Sequence, residues 1–201
     1  MPSGRTMLRA AVASVAVLLP TAAWAHVGVG STSGFVHGFV HPVTGIDHVL
    51  AMVAVGMFAA NLGGRVLWAV PLTFVSVMAI GGALGIAGIA VPSVEAGIAA
   101  SVIFLGLAVA LQRKWPVAAA MALVGIFAIF HGHAHGAEMP IDVSGLEYGL
   151  GFMLATALLH GTGVGLGIGI ARFGRSYSPR VIRFGGGAMA VAGVAILTGV
   201  I

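Results

Sequence analysis

Long apolar stretches separated by short polar segments make up most of the chain. They fall at about residues 45–62, 66–90, 95–112, 115–132, 145–171 and 181–201. At a rise of 1.5 Å per residue, each stretch is long enough to cross a hydrocarbon core of about 30 Å. The pattern therefore predicts an all-α, polytopic membrane protein with six transmembrane helices.

Composition supports an integral membrane protein. Hydrophobic residues make up 59% of the chain, charged residues only 7%, and the mean hydropathy is +1.11. Soluble domains have charge on about a quarter of their residues. The chain contains no cysteine, which excludes disulfides and thiolate ligands. We expect the lipid bilayer to surround the protein, and the net charge of +4 to reflect topology rather than nucleic-acid binding.

The first 25 residues have the pattern of a secretory signal peptide. Arg5 and Arg9 precede a short apolar core, and Ala23 to Ala25 form a small-x-small cleavage site. Cleavage would leave His26 at the mature N-terminus, on the outer side. An uncleaved anchor helix is the alternative, and it places His26 on the same side.

Basic residues indicate the orientation of the six predicted helices. If the mature N-terminus is outside, seven basic residues fall in the inner loops and none in the outer ones; they are Arg65, Arg113, Lys114, Arg172, Arg175, Arg180 and Arg183. This asymmetry satisfies the positive-inside rule. Both the mature N-terminus and the C-terminus are therefore predicted on the outer side.

Histidines and acids concentrate on that outer side. Seven of the eight histidines are predicted there, namely His26, His37, His41, His48, His131, His133 and His135. All five acids lie at outer helix ends or in outer loops, namely Asp47, Glu95, Glu138, Asp142 and Glu147. Imidazoles and carboxylates without competing cations are suited to the capture of a divalent metal ion.

A first cluster of these residues lies in HPVTGIDHVLAM, residues 41–52. If a helix begins near Thr44, a folded-back segment before it would direct His41, Asp47 and His48 toward one point. Thr44 and Asp47 also match a capping box, which would give Asp47 a purely structural role. Met52 lies one turn after His48, and we interpret it as core packing rather than as a thioether ligand.

A second cluster lies in FHGHAHGAEMP, residues 130–140. A helix that continues through this stretch would place His131, His135 and Glu138 on one side and direct His133 elsewhere. The partial negative charge of a helix C-terminus also favours a cation. Adventitious metal binding by a His-rich loop is the alternative, and for His133 it is at least as good an explanation.

His160 is the histidine predicted inside the membrane, about 15 residues or ~22 Å from the outer end of the fifth span. It is either a deep ligand for a cation or a hydrogen-bonding residue between helices. The glycines that follow it at positions 161, 165 and 169 form one face, which predicts close packing of a neighbouring backbone. Glycine runs in the second and sixth spans predict packing faces as well.

Together, these motifs resemble those of the HupE/UreJ family of bacterial nickel permeases. His41-Pro42-x-x-Gly45-x-Asp47-His48 matches the family's HX5DH motif, and Phe130-His131-x-x-x-His135-x-x-Glu138 matches its FHGxAHGxE motif. The resemblance extends over the whole chain, and neither motif departs from the family pattern.

The resemblance implies a secondary importer in the bacterial inner membrane, with both mature termini in the periplasm. Residues 26–201 would form one transport domain. Its cargo would be Ni²⁺, with Co²⁺ as a second candidate, and we expect no permanent cofactor. The resemblance is compatible with a homo-oligomer. The candidate metal ligands are His26, His37, His41, Asp47, His48, His131, His135, Glu138 and His160.

The residues alone leave two other classes open. A membrane-embedded zinc hydrolase would use the same histidines, with Asp47 or Glu138 as general base. A b-type cytochrome would need histidines on facing helices as haem ligands. The chain lacks the phosphate-binding GxxxxGK[ST] motif and has a single lysine, Lys114, so we do not expect ATPase activity.

Overall fold

A computed structural model describes residues 34–173 and 178–201. The predicted signal peptide and His26 lie outside these ranges. Within them the chain forms seven α-helices and no β-strand, which confirms the all-α prediction. The helices are α1 (Gly34–Thr44), α2 (Ile46–Leu62), α3 (Val66–Ile86), α4 (Val94–Leu111), α5 (Val117–Ala137), α6 (Gly145–Phe173) and α7 (Ser178–Leu197).

Helices α3 to α7 are each long and apolar enough to span a membrane. The predicted first span differs, because α2 reaches that length only together with α1, and the two helices are bent by 83° relative to each other. The residues before Gly45 were expected to be a folded-back segment, and they form a helix of their own. The six predicted spans are thus five continuous helices and one broken pair.

Gly45 forms the break between α1 and α2, with an extended backbone at φ −86° and ψ 119°. The capping box, which was the alternative role for Asp47, is not formed. The hydroxyl of Thr44 donates to the carbonyl of His41 at 2.7 Å, and an Asp47 carboxylate oxygen accepts from the backbone N–H of its neighbour His48 at 2.7 Å. Asp47 still lies in the first turn of α2, where its negative charge suits the helix dipole.

Glycines allow the helices to approach closely. A Cβ atom at Gly85 of α3 would overlap the carbonyl oxygen of His133 in α5, and one at Gly186 of α7 would lie 2.5 Å from the backbone nitrogen of Ala110 in α4. The packing faces predicted for the second and sixth spans are confirmed. Such contacts hold the backbones of neighbouring helices close together.

The packing face predicted on α6 is wrong, because it was assigned to the wrong side of the helix. Beyond the backbone of α6 itself, no atom of the described chain lies within 4 Å of a Cβ built at Gly161, Gly165 or Gly169. Gly163 packs instead against α2, where a Cβ would overlap the carbonyl oxygen of Val53. The close approach uses the side of α6 that carries Gly163, and the Gly161 side stays open.

The basic residues of the described ranges lie at one end of the bundle. Helices α2 and α6 run parallel, as do α3 and α5, so the α2–α3, α4–α5 and α6–α7 connections share that end. We call it the arginine end, after Arg65, Arg113, Arg172, Arg180 and Arg183. Fully buried apolar side chains fill the space between the helices, among them Phe58, Phe74, Leu105 and Met52, whose predicted packing role is confirmed.

Candidate metal centre

A cavity of about 250 Å³ lies at the end of the bundle opposite the arginine end. It is lined by residues of α1, α2, α4 and α5 and by the two short segments that precede α2 and follow α5. They are His41, Thr44, Gly45, Asp47, His48, Glu95, Ile98, His131, Ala134, His135 and Glu138. The two sequence motifs therefore meet in one place.

Four imidazoles and three carboxylates line this cavity, and its described lining includes no Lys or Arg. Carboxylates attract a cation, and imidazole is a good ligand for first-row metals such as nickel, cobalt and zinc. The chemical make-up of the cavity is that of a site for a divalent cation rather than for an anion.

The mouth of the cavity is formed by His41, His135 and Glu138. One ligand atom from each residue lies within 4.8 Å of the other two, and His41 Nε2 lies 2.9 Å from Glu138 Oε2. Bonds of about 2.0–2.2 Å to a metal such as zinc allow ligand atoms to be up to ~4.4 Å apart. A small movement of these side chains would therefore bring all three within reach of one ion.

Below the mouth, three histidines form a buried cluster. His48 Nδ1 lies 3.0 Å from His135 Nε2 and 3.2 Å from His131 Nδ1. His48 is 2% exposed, His131 1% and His135 8%. His135 belongs both to the mouth and to this cluster, so it connects the exposed and buried ligand sets.

Two hydroxyls contact the buried imidazoles from outside the motifs. Ser101 Oγ in α4 lies 2.8 Å from His131 Nε2, and Thr156 Oγ1 in α6 lies 3.3 Å from His48 Nε2. Neither residue was predicted from the sequence. Each is a hydroxyl residue with apolar neighbours along its helix, and such residues are common enough to give only a weak signal.

His160 lies on α6 one turn beyond Thr156, and the Phe74 ring contacts both His160 and His131. The Phe74 ring centroid is 5.8 Å from that of His131 and 5.2 Å from that of His160. His160 is 1% exposed, and within the described structure neither of its ring nitrogens has a hydrogen-bond partner. The interhelical hydrogen bond considered as an alternative for His160 is therefore absent from the part of the chain that is described.

The remaining candidate residues lie away from the cavity or outside the described ranges. His133 points elsewhere, as predicted, with Nε2 2.8 Å from the carbonyl oxygen of Ile89. His37 is exposed on α1, and Glu147 is exposed on α6. Neither is part of the cavity lining. His26 falls outside the described residues.

Glu95 also lines the cavity, although the sequence did not predict it as a ligand. It is exposed in the first turn of α4 and lines the cavity across from the two motifs. Its position at an outer helix end was the available signal, but the other outer acids share that position. Glu95 differs from Glu147 in lining the cavity, because α4 packs against the motif-bearing helices.

Apolar helices of spanning length and a cavity of imidazoles and carboxylates define a multi-pass membrane protein with the donor atoms that a divalent cation requires. The model of the family described as HupE / UreJ protein matches residues 14–196, and the chain belongs to this family. The family is associated with nickel or cobalt uptake for hydrogenase and urease.

A curated relative supports the same family. The chain is 50% identical over 184 residues to Protein HupE of Rhizobium leguminosarum bv. viciae. The matched region covers 92% of this chain and 94% of that protein. No solved structure matches the chain.

Proposed function

We propose that the protein is a secondary transporter that imports Ni²⁺, with Co²⁺ as a second substrate, from the periplasm to the cytoplasm. The observation that carries the proposal is the gradient of burial along its imidazoles. Half-exposed His41 leads to His135, then to fully buried His48 and His131, and finally to His160. Such a series provides ligands at successive depths of the bundle.

Capture takes place at the cavity mouth in this proposal. Glu138 and His41 are accessible to solvent, and Asp47 lies partly exposed in the same cavity. A hydrated cation can bind there without losing all of its water, because the site is open. The carboxylates reduce the electrostatic cost of bringing a double positive charge toward the bilayer.

Transfer inward replaces water by imidazole nitrogens. The 3.0 Å and 3.2 Å separations around His48 Nδ1 are short enough for one ion to pass from His135 to the His48–His131 pair without a long jump. The Phe74 ring contacts both His131 and His160, so it lines the step from the buried cluster to His160. Conduction requires moderate affinity at each step, since a site that binds too tightly does not release.

The orientation follows from the charges at the two ends of the bundle. Positively charged residues favour the cytoplasmic side of an inner membrane, so the arginine end would face the cytoplasm. The cavity and the C-terminus would then face the periplasm. The choice of nickel rests on the family, because nitrogen and oxygen ligands by themselves do not exclude copper or zinc.

The test is uptake of radioactive nickel by bacteria that lack their own nickel importers. Cells that express the protein should accumulate nickel above the empty-vector control, and unlabelled cobalt should compete more strongly than zinc. His41→Ala and Glu138→Ala, at equal membrane abundance, should each reduce the initial rate of accumulation at least tenfold. Accumulation equal to the empty-vector control would overturn the proposal and direct attention to zinc content and hydrolase activity.

A further inference from the structure

Ser101 makes two short contacts with its one hydroxyl. Its Oγ lies 2.6 Å from the carbonyl oxygen of Ile98 in the same helix and 2.8 Å from His131 Nε2. A carbonyl oxygen can only accept a hydrogen bond, so the hydroxyl proton points toward Ile98. The oxygen therefore presents a lone pair to His131. Ser101 is fully buried, so water does not offer an alternative partner.

This arrangement selects one tautomer of His131. A ring nitrogen that faces a lone pair must carry the proton, so Nε2 is the N–H donor. In the neutral ring Nδ1 is then unprotonated. Nδ1 is the atom that lies 3.2 Å from His48 Nδ1, within the buried cluster. The lone pair of His131 Nδ1 therefore points toward His48 Nδ1.

We propose that Ser101 is a positioning residue, whose hydroxyl holds His131 in the tautomer that directs the Nδ1 lone pair toward the incoming cation. The inference rests on the proposed function for the identity of the cation. Partners of this type fix the ring orientation and the tautomer of metal-binding histidines in other sites.

The contact of His48 with Thr156 provides a contrast within the same cluster. Thr156 Oγ1 lies 3.3 Å from His48 Nε2, and a hydroxyl without a fixed direction can either donate or accept. By the same rule His48 Nδ1, which faces the His131 Nδ1 lone pair, carries the proton in the metal-free cluster, and Thr156 donates to His48 Nε2. When a cation takes the place of that proton, His48 can carry its proton on Nε2 and donate it to Thr156. Ser101 fixes one ring of the pair, whereas Thr156 accommodates either tautomer of the other.

The direct test uses the purified full-length protein, labelled with ¹⁵N in its histidine rings and treated with a chelator. Nitrogen NMR separates protonated from unprotonated ring nitrogens, and a His131→Gln sample identifies the His131 signals. We expect His131 to be protonated at Nε2. In Ser101→Ala the Nδ1–H tautomer should become populated, because the acceptor for Nε2–H is lost while the packing changes little.

Nickel affinity of the same samples provides the second measurement. Loss of such a partner typically weakens metal binding by about 10- to 100-fold, and we expect a loss in that range for Ser101→Ala. Thr162→Ala is the matched control, because the Thr162 hydroxyl donates to the carbonyl of Leu158 in its own helix and lies outside the cavity lining. The control should retain both the His131 tautomer and the wild-type affinity.

Two results would overturn the inference. One is a wild-type His131 protonated at Nδ1, and the other is a Ser101→Ala variant with unchanged tautomer or unchanged nickel affinity. Neither measurement requires transport. Failure of nickel uptake in cells would therefore count against the proposed function, whereas the tautomer and affinity of the purified protein decide the role of Ser101.

Discussion

His41 Nε2 lies 2.9 Å from Glu138 Oε2, although the two residues are 97 positions apart in the chain. His41 belongs to α1 and Glu138 follows α5, so the contact joins the two motifs across the cavity mouth. Because both would bind the same ion, their contributions should not be independent. Residues that act on one site show strong non-additivity in double-mutant cycles.

We therefore predict that His41→Ala and Glu138→Gln each reduce nickel uptake at least tenfold, and that the double variant is no worse than the more severe single variant. Initial uptake rates at equal abundance provide the measurement. Glu147→Gln is the matched control, since this acid is exposed but absent from the cavity lining. Additive losses in the double variant would indicate two separate roles.

His135 and His133 allow a comparison within one helix. His135 contacts His48 in the cavity, whereas His133 contacts the carbonyl of Ile89. We predict that His135→Ala abolishes uptake and that His133→Ala retains more than half of the wild-type rate. Equal effects of the two substitutions, measured in the same uptake assay, would show that position relative to the cavity does not decide function.

Gly163 and Gly161 test the packing of α6. A methyl group at Gly163 would overlap the carbonyl of Val53, whereas one at Gly161 would meet no atom of the described chain within 4 Å beyond the backbone of α6 itself. Overpacking of this kind costs about 1–3 kcal/mol, and substitutions at open positions cost less than ~0.5 kcal/mol. Thermal unfolding in detergent should therefore show a lower Tm for Gly163→Ala than for Gly161→Ala. The reverse order would place the α2–α6 contact on the other face.

We predict that His160 lowers the stability of the folded protein while it supports nickel uptake. Both ring nitrogens are buried without a described partner, and an unsatisfied buried polar group costs about 1–3 kcal/mol. His160→Leu should thus unfold at or above the wild-type temperature, yet lose nickel uptake. A destabilised variant with intact uptake would show that His160 is a structural residue.

The sequence predicted much of the helical framework because hydrophobic stretches of spanning length are a strong local signal. It did not predict α1, an 11-residue segment that contains three residues unfavourable to an isolated helix, Gly34, Gly38 and Pro42. This helix is packed against α6, where a Cβ at Gly38 would overlap the carbonyl of Tyr148. The stabilising contact is tertiary, so no local pattern reveals it.

The sequence predicted the residue types of the candidate site but not which of these residues contact one another. The helical spacing of His131, His135 and Glu138 was sufficient to place them on one side, and α5 does extend to Ala137. Whether the two motifs meet depends on how α1 and α2 pack against α5, which spacing does not encode. Ser101 and Thr156 were missed for the same reason, because each contacts a histidine from a different helix.

In the proposed mechanism the imidazoles form one path from the cavity to His160. To test this path, the purified protein is reconstituted into liposomes with a nickel indicator inside, and the wild type is compared with His135→Ala and His160→Leu. We predict that His135→Ala loses both nickel binding and delivery to the lumen, whereas His160→Leu retains binding and loses delivery. Delivery at the wild-type rate by His160→Leu would contradict the path, because nickel would then cross the membrane without passing His160.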